Sequence, residues 1–145
     1  MQEQVIEAAT RNDVEAVRLY LQQGIDVNAA VTGDESVFHA VIHLSCSLDV
    51  IRAFLEHGAD VNVESANGFS ALVMAVMLGD PDLLTLLLSV KDVNVNRVNG
   101  AGNTVLHYAS IFGDETIVSL LKNADADVNA KNALGEVPGA LAYLV

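Results

Sequence analysis

Apolar residues along this chain fall into short runs, and each run is bracketed by the same kinds of polar residue. The clearest case starts at Ser70, which precedes a run that is apolar throughout, Ala71 to Leu78, and then Gly79. A hydroxyl ahead of such a run predicts an N-cap, and a glycine after it predicts a stop. Asp80-Pro81-Asp82 follows. This pattern predicts a second helix: Asp caps, Pro occupies the first position where no N–H is missed, and the next carboxylate complements the helix dipole. Leu83, Leu84, Leu86, Leu87 and Leu88 are the predicted core face of that helix. Around Thr104 the pattern recurs, with Gly113 as the stop and Asp114-Glu115 opening the next helix. Gly24 and Gly58 stand where a left-handed residue would end the second helix of earlier pairs. Ser65-Ala66-Asn67-Gly68 and Asn99-Gly100-Ala101-Gly102 have the chemistry of tight turns.

This recurrence has a period. Asp-Val-Asn occurs at Asp26-Val27-Asn28, Asp60-Val61-Asn62, Asp92-Val93-Asn94 and Asp127-Val128-Asn129, at intervals of 34, 32 and 35 residues. Ser36, Ser70 and Thr104, the hydroxyls that open apolar runs, are spaced by 34 and 34. Asn12-Asp13, Gly79-Asp80 and Gly113-Asp114 mark the middle of a unit in the same phase. Fixed-period self-similarity of this kind is the signature of a solenoid, in which each unit shelters its apolar face against its neighbours.

Ser36-Val37-Phe38-His39, Thr104-Val105-Leu106-His107-Tyr108-Ala109 and His57-Gly58-Ala59-Asp60-Val61-Asn62 closely resemble the ankyrin repeat, which opens with Thr-Pro-Leu-His-x-Ala and closes with Gly-Ala-Asp-Val-Asn. The resemblance covers nearly the whole chain. It implies an all-α solenoid of stacked helix–turn–helix units, with inner helices lining a concave face and β-turn fingers projecting from one edge. The expected organisation is a single domain over 1–145, with units of about 1–32, 33–66, 67–98 and 99–132 and a partial fifth at 133–145. The resemblance assigns His39 and His107 a structural role, each ring bonding near its own cap hydroxyl and the adjacent loop. It also implies that the Asn of each Asp-Val-Asn bridges loop backbone.

Several positions depart from the family pattern. Val37, Ala71 and Val105 stand in place of the proline after the hydroxyl, and Ile6, Val73 and Ala140 in place of the histidine. Unit two carries an extra residue near Ser45-Cys46. Unit three reads as one residue short before Asp92, with Lys91 near the missing glycine. Asp125 replaces the helix-ending glycine of unit four, and a non-Gly residue in the left-handed region costs on the order of 1 kcal/mol. Units three and four are therefore expected to be less rigid at these corners. The first helix, with Gln2, Glu3, Gln4, Glu7 and Arg11 among its apolar residues, reads as a water-facing cap. Val137 to Val145 reads as an inner helix with no outer helix after it, either a reduced cap or a point from which the natural chain continues, and continuation is the favoured expectation.

Composition narrows the function. Apolar residues make up 52 % of the 145, with no Trp and few other aromatics, so Ala, Val and Leu are the predicted core. The net charge of −12 repels a phosphate backbone and an anionic membrane surface, which argues against nucleic-acid and membrane partners. Cys46 is the single cysteine, so no internal disulfide forms and a reducing, intracellular compartment is expected, the cytoplasm first with the nucleus as the alternative. Met1-Gln2-Glu3-Gln4 is no signal-peptide n-region, and the apolar stretch Leu83 to Val90 is too short to span a bilayer.

Candidate chemistry reduces to structural explanations. His39, His43 and Cys46 share a helical spacing but lack the Glu of a His-Glu-x-x-His site and a fourth ligand, so no metal and no cofactor are expected. His57, before a helix-ending glycine, suits the dipole. Cys46 has no cationic sequence neighbour to activate it. Ser45 and Ser47 lack a nucleophile elbow, and Gly100-Ala101-Gly102 lacks the rest of a phosphate loop. The carboxylates fall at caps. No enzyme activity is expected.

A protein-binding role is expected instead. In the ankyrin pattern the variable positions are the fingertips and the last turn of each inner helix. Here the helix positions read Thr10-Arg11, His43-Leu44, Met77-Leu78, Ile111-Phe112 and Leu144-Val145, and the finger positions Glu35, Phe69, Asn103 and Glu136. An exposed apolar strip in an acidic protein predicts a partner site, with Leu44, Phe69, Met77, Leu78, Ile111 and Phe112 as its residues. Glu35, Glu64 and Glu136 form its expected rim, favouring a basic or amphipathic segment of a protein partner. A buried role for Ile111 and Phe112 between inner helices is the competing explanation. Two other readings stand beside the scaffold or adaptor role: a regulatory or targeting domain of a longer protein, enzymatic or not, and a substrate of asparaginyl hydroxylase at Asn28, Asn62, Asn94 and Asn129. The expected state is a monomer, with weak self-association through the C-terminal edge around Tyr143-Leu144-Val145.

Overall fold

The computed structural model of the protein describes residues 1–33, 35–112 and 114–141. Among them are nine α-helices and one short hairpin, in two compact units, Met1–Asn67 and Gly68–Val145. Gly113, expected as a helix stop, and the expected edge Tyr143-Leu144-Val145 lie outside the described residues.

The first unit holds α1 (Gln2–Thr10), α2 (Val14–Gln22), α3 (Val37–His43) and α4 (Leu48–Glu56). Between α2 and α3 a hairpin of β1 (Ala30–Thr32) and β2 (Glu35–Ser36) pairs antiparallel, Ala30 opposite Ser36 and Thr32 opposite Glu35. Helix α1 packs against α2 and α3, and α2 against α4. The core is Val5, Val17, Phe38, Ile42, Ile51 and Phe54, with the two Phe rings stacked at 6.3 Å. The second unit holds α5 (Ala71–Leu78), α6 (Pro81–Leu88), α7 (Val105–Phe112), α8 (Glu115–Asn123) and α9 (Pro138–Leu141). There α5, α7 and α9 pack in series, and α8 packs beside α6. Leu83, Leu84 and Leu87 are buried, but Leu86 and Leu88 are only half-buried, so three of the five leucines expected in the core face fill it. The large side chains fully buried in the first unit include two Phe and two Ile, so Ala, Val and Leu do not fill the core alone.

Local chemistry sets the helix ends. Side-chain oxygens of Asp13, Ser36, Ser47, Ser70, Asp80 and Asp114 each accept from the backbone N–H three residues on, satisfying a donor that the helix leaves orphaned. Thr104 begins α7 differently: its carbonyl, not its hydroxyl, receives the His107 N–H, at 3.1 Å. Inner helices α1, α3 and α5 stop on a left-handed residue, Asn12 (φ 57), Ser45 (φ 55) and Gly79 (φ 64). Cys46 then separates Ser45 from the cap Ser47. It is the extra residue of that unit, and it hides the mid-unit dipeptide that the other units show.

The outer corners use Gly24 (φ 87), Gly58 (φ 89) and Asp125 (φ 65), so Asp125 does occupy the strained conformation expected of it. Lys91 does not. No described residue near it has positive φ, and the chain leaves α6 through a looser turn with Val90 N–H on the Leu87 carbonyl. That turn is longer than its counterparts. Cap Asp80 to Asn94 is 14 residues (94 − 80), against 13 from Asp13 to Asp26, Ser47 to Asp60 and Asp114 to Asp127.

Candidate binding surface

A ladder of hydrogen bonds between loops fixes which residues of the repeats are equivalent. In the first unit the Asn28 amide donates to the Gly58 carbonyl at 3.0 Å, and its oxygen accepts the Asp60 N–H at 2.8 Å. In the second unit the same pair of bonds is made by Asn96, donating to the Asp125 carbonyl at 3.1 Å and accepting the Asp127 N–H at 2.7 Å. The expected bridge at Asn94 is therefore displaced. Asn94 takes the place of Asp26, Asp60 and Asp127, accepting the N–H two residues on, at 3.1 Å. The true triplet is Asn94-Val95-Asn96. It lies 34 residues from Asp60-Val61-Asn62, and the long turn after α6 carries a decoy Asp-Val-Asn two residues early. Of the asparagines named for hydroxylation, Asn94 thus lacks the shared position and Asn96 holds it.

Both opening histidines are fully engaged. His39, 1 % exposed, meets the Ser36 hydroxyl through Nδ1 at 2.8 Å, and its Nε2 donates to the Val63 carbonyl at 2.9 Å. His107 is equally buried; its Nδ1 accepts from the Thr104 N–H and hydroxyl, and Nε2 donates to the Glu136 carbonyl at 2.9 Å. Each ring locks one finger to the helix beneath it, with the tautomer fixed by its carbonyl partner. His43 is exposed and meets Glu35 at 3.2 Å, so it does not converge with His39. His57 donates through Nδ1 to the Ala53 carbonyl at 2.8 Å, at the end of α4 where carbonyls lack partners. Burial pushes the half-exposed Cys46 thiol up from its ordinary pKa, away from nucleophilic character. Among the described residues, no group of three or more His, Cys, Asp or Glu could hold a metal ion.

The apolar positions behave otherwise. Met77 and Leu78 end α5, Ile111 and Phe112 end α7, and the two helices pack side by side in one unit. All four are exposed, Phe112 at 56 %, so the buried alternative fails for Ile111 and Phe112. Leu44, the exposed C-cap of α3, belongs to the first unit. Phe69 is half-buried, with its ring edge-to-face on Tyr108 at 6.0 Å. The Tyr108 hydroxyl accepts from the Asn99 amide at 2.7 Å, which makes the pair rigid. The tyrosine escaped notice in the sequence because only a repeat-to-repeat packing partner gives it meaning.

The other expected finger positions are tied into the fold. Asn103 accepts from the Asn132 amide at 3.0 Å, and the Glu136 carboxylate accepts from the same amide at 2.9 Å. The exposed tip is Leu134, at 82 %.

A family model described as ankyrin repeats, in three copies, matches residues 47–132. The chain belongs to the ankyrin-repeat family. It is 30 % identical over 119 residues to the intracellular phospholipase A2 of Caenorhabditis elegans, covering 74 % of this chain and 11 % of that protein. It is 31 % identical over 136 residues to the E3 ubiquitin-protein ligase KEG of Arabidopsis thaliana, covering 86 % and 8 %. Against the mitochondrial disaggregase of Bos taurus it is 31 % identical over 139 residues, covering 92 % and 20 %. The chain thus spans at most a fifth of the length of these curated relatives. Ankyrin repeats are a non-catalytic interaction fold that generally binds other proteins. Among the described residues, no helix of this ankyrin protein is long and apolar enough to cross a membrane.

Proposed function

We propose that this ankyrin chain is a scaffold or adaptor module that captures a protein partner on the row Met77, Leu78, Ile111 and Phe112, with Phe69 as a rigid flanking ring. The observation that carries the reading is that four large apolar side chains, at the same register of two packed helices, are exposed to water. Leaving them uncovered forfeits on the order of 1 kcal/mol or more per side chain that a partner could recover. Helices α5 and α7 hold the anchors before binding, so little conformational entropy is lost on docking. Leu44 holds the equivalent register position in α3, and we assign it the same role in its own unit. The net charge of −12 selects for a basic or amphipathic segment. We read the chain as one ankyrin domain of four repeats and a partial fifth, acting in the cytoplasm as a monomer.

The second reading is a regulatory or targeting domain of a longer protein. It is favoured by the small share of each relative that the similarity occupies. The test begins with affinity capture by the intact chain, followed by calorimetry with the purified partner. Phe112→Glu is expected to weaken binding at least about tenfold with unchanged far-UV circular dichroism. Unchanged affinity in both Phe112→Glu and Ile111→Glu removes this surface.

A further inference from the structure

The apolar row of the second unit ends on charge. Helices α5 and α7 carry no Asp, Glu, Lys or Arg. Within four residues of the last apolar pair the chain turns acidic: Asp80 and Asp82 follow Met77-Leu78, and Asp114 and Glu115 follow Ile111-Phe112. Asp80 and Asp114 are the N-caps of α6 and α8, each using one oxygen on a backbone N–H. Asp82 and Glu115 stand exposed in the first turns that follow. Helices α6 and α8 pack side by side as α5 and α7 do, so these groups border the row at the helix ends away from the fingers. The acidic rim expected on the fingers does not serve this row. Glu136 is held by the Asn132 amide at 2.9 Å, and Glu35, beside His43, belongs to the first unit.

Three observations define what this border can hold. Among the described residues no group of three or more His, Cys, Asp or Glu could hold a metal ion, so the carboxylates are a line of separate charges. None of the four is in an ion pair among the described residues, whereas Glu7, Asp49 and Glu56 of the first unit each pair with an arginine. Each helix N-terminus offsets only about half a unit of negative charge, so roughly three of the four charges remain uncompensated. The spacing of the row then selects a backbone. Packed helices lie about 8–10 Å apart. Residues i and i+7 of an α-helix share a face and are about 10.5 Å apart, so a helix laid across α5 and α7 sets one anchor on each. Same-facing residues of an extended strand repeat at about 6.6 and 13 Å, and neither spacing fits.

We propose that the α5–α7 row takes a basic amphipathic helix of a partner protein, lying across the two helices. Its apolar stripe covers Met77, Leu78, Ile111 and Phe112, and one flank of lysine or arginine side chains lies against Asp82 and Glu115. The inference rests on the reading of the row as a binding surface, and it adds the partner's conformation and the side on which its charge must lie.

The probe is a stapled, fluorescein-labelled synthetic helix with leucines at i, i+4, i+7 and i+11 and lysines on one flank at i+1, i+5, i+8 and i+12, titrated with the intact chain by fluorescence anisotropy. Saturable binding is expected, weakened at least about tenfold by Asp82→Lys with Glu115→Lys. A probe with glutamates in place of its lysines should prefer that double variant to the unaltered chain. Glu3→Lys with Glu15→Lys makes the same change of net charge in the first turns of α1 and α2, and it should leave the affinity within about twofold. Asp82→Asn with Glu115→Gln, two neutral changes at exposed side chains, should weaken binding about threefold and decides the matter if the lysine pair fails to fold. Absence of saturable binding to the unaltered chain overturns the inference, as does equal weakening by the two lysine pairs or an affinity that Asp82→Asn with Glu115→Gln leaves unchanged. The row itself stands or falls separately, by Phe112→Glu and Ile111→Glu measured on the captured partner.

Discussion

Exchanging Asn for Asp at two positions two residues apart should have opposite effects. Asn96 needs both ends of its amide, since the NH2 donates to the Asp125 carbonyl at 3.1 Å and the oxygen accepts the Asp127 N–H at 2.7 Å. Asn96→Asp keeps the acceptor, deletes the donor and sets a carboxylate against a carbonyl. A lost hydrogen bond costs about 1 kcal/mol, and the exposed setting limits the added repulsion to a few tenths, so the expected loss is about 1–1.5 kcal/mol. Asn94 acts as an acceptor for the Asn96 N–H at 3.1 Å, the part played by Asp26, Asp60 and Asp127 in the other loops. Asn94→Asp makes that acceptor anionic, and charge-assisted bonds are roughly twice as strong as neutral ones. Against the added repulsion in a chain of net charge −12, the expected change runs from neutral to about 0.5 kcal/mol stabilising. Urea unfolding followed by circular dichroism measures both. A register of Asp92-Val93-Asn94 predicts the reverse order. If Asn94→Asp proves the more damaging of the two, the bridge assigned to Asn96 is wrong.

Three further outcomes follow from single sites. Asp125→Gly should raise stability by about 0.5 kcal/mol in the same assay: a non-Gly residue at φ 65 costs on the order of 1 kcal/mol, and the added freedom of the unfolded chain returns part of the gain. His107→Ala should lose about 3 kcal/mol or more, because it opens a buried cavity and strands the Thr104 N–H and the Glu136 carbonyl; thermal unfolding checks it. Glu56 titrates below the usual carboxylate range because the Arg18 guanidinium hydrogen-bonds it. A depressed folded pKa contributes stability above the unfolded value that disappears as pH falls through the folded one, so the pair helps at neutral pH and fades in acid. NMR titration of Glu56 should show the depression vanish in Arg18→Gln and shrink in high salt.

The helix pairs were legible in the sequence because their signals are local. A cap needs one oxygen three residues from one N–H, so Ser70, Asp80 and Asp114 announced their helices, and α5 runs over the predicted Ala71–Leu78. Asp125 could be placed in the left-handed region because the period put it in register with Gly24 and Gly58. The opening histidines could be given a structural role through the family pattern they match. Other features depended on what came to lie nearby. The triplet Asp92-Val93-Asn94 points to Lys91 and Asn94 because a repeated triplet carries residue types alone. The bridge is defined by which amide reaches a carbonyl 29 residues later. Ser45 and Cys46 hid a helix stop that any residue able to take φ 55 can supply.

The sequence by itself determined the repeat, its helix ends and the apolar character of the row from Met77 to Phe112, since capping, periodicity and hydropathy are written in consecutive residues. Only the tertiary structure decided that this row faces water, that Phe69 is braced by Tyr108, and that Val128 is exposed while Val27 and Val61 are buried. Exposure belongs to the neighbours a side chain acquires, and identical residues at equivalent positions of a repeat differ in it when one has a helix beside it and the other does not.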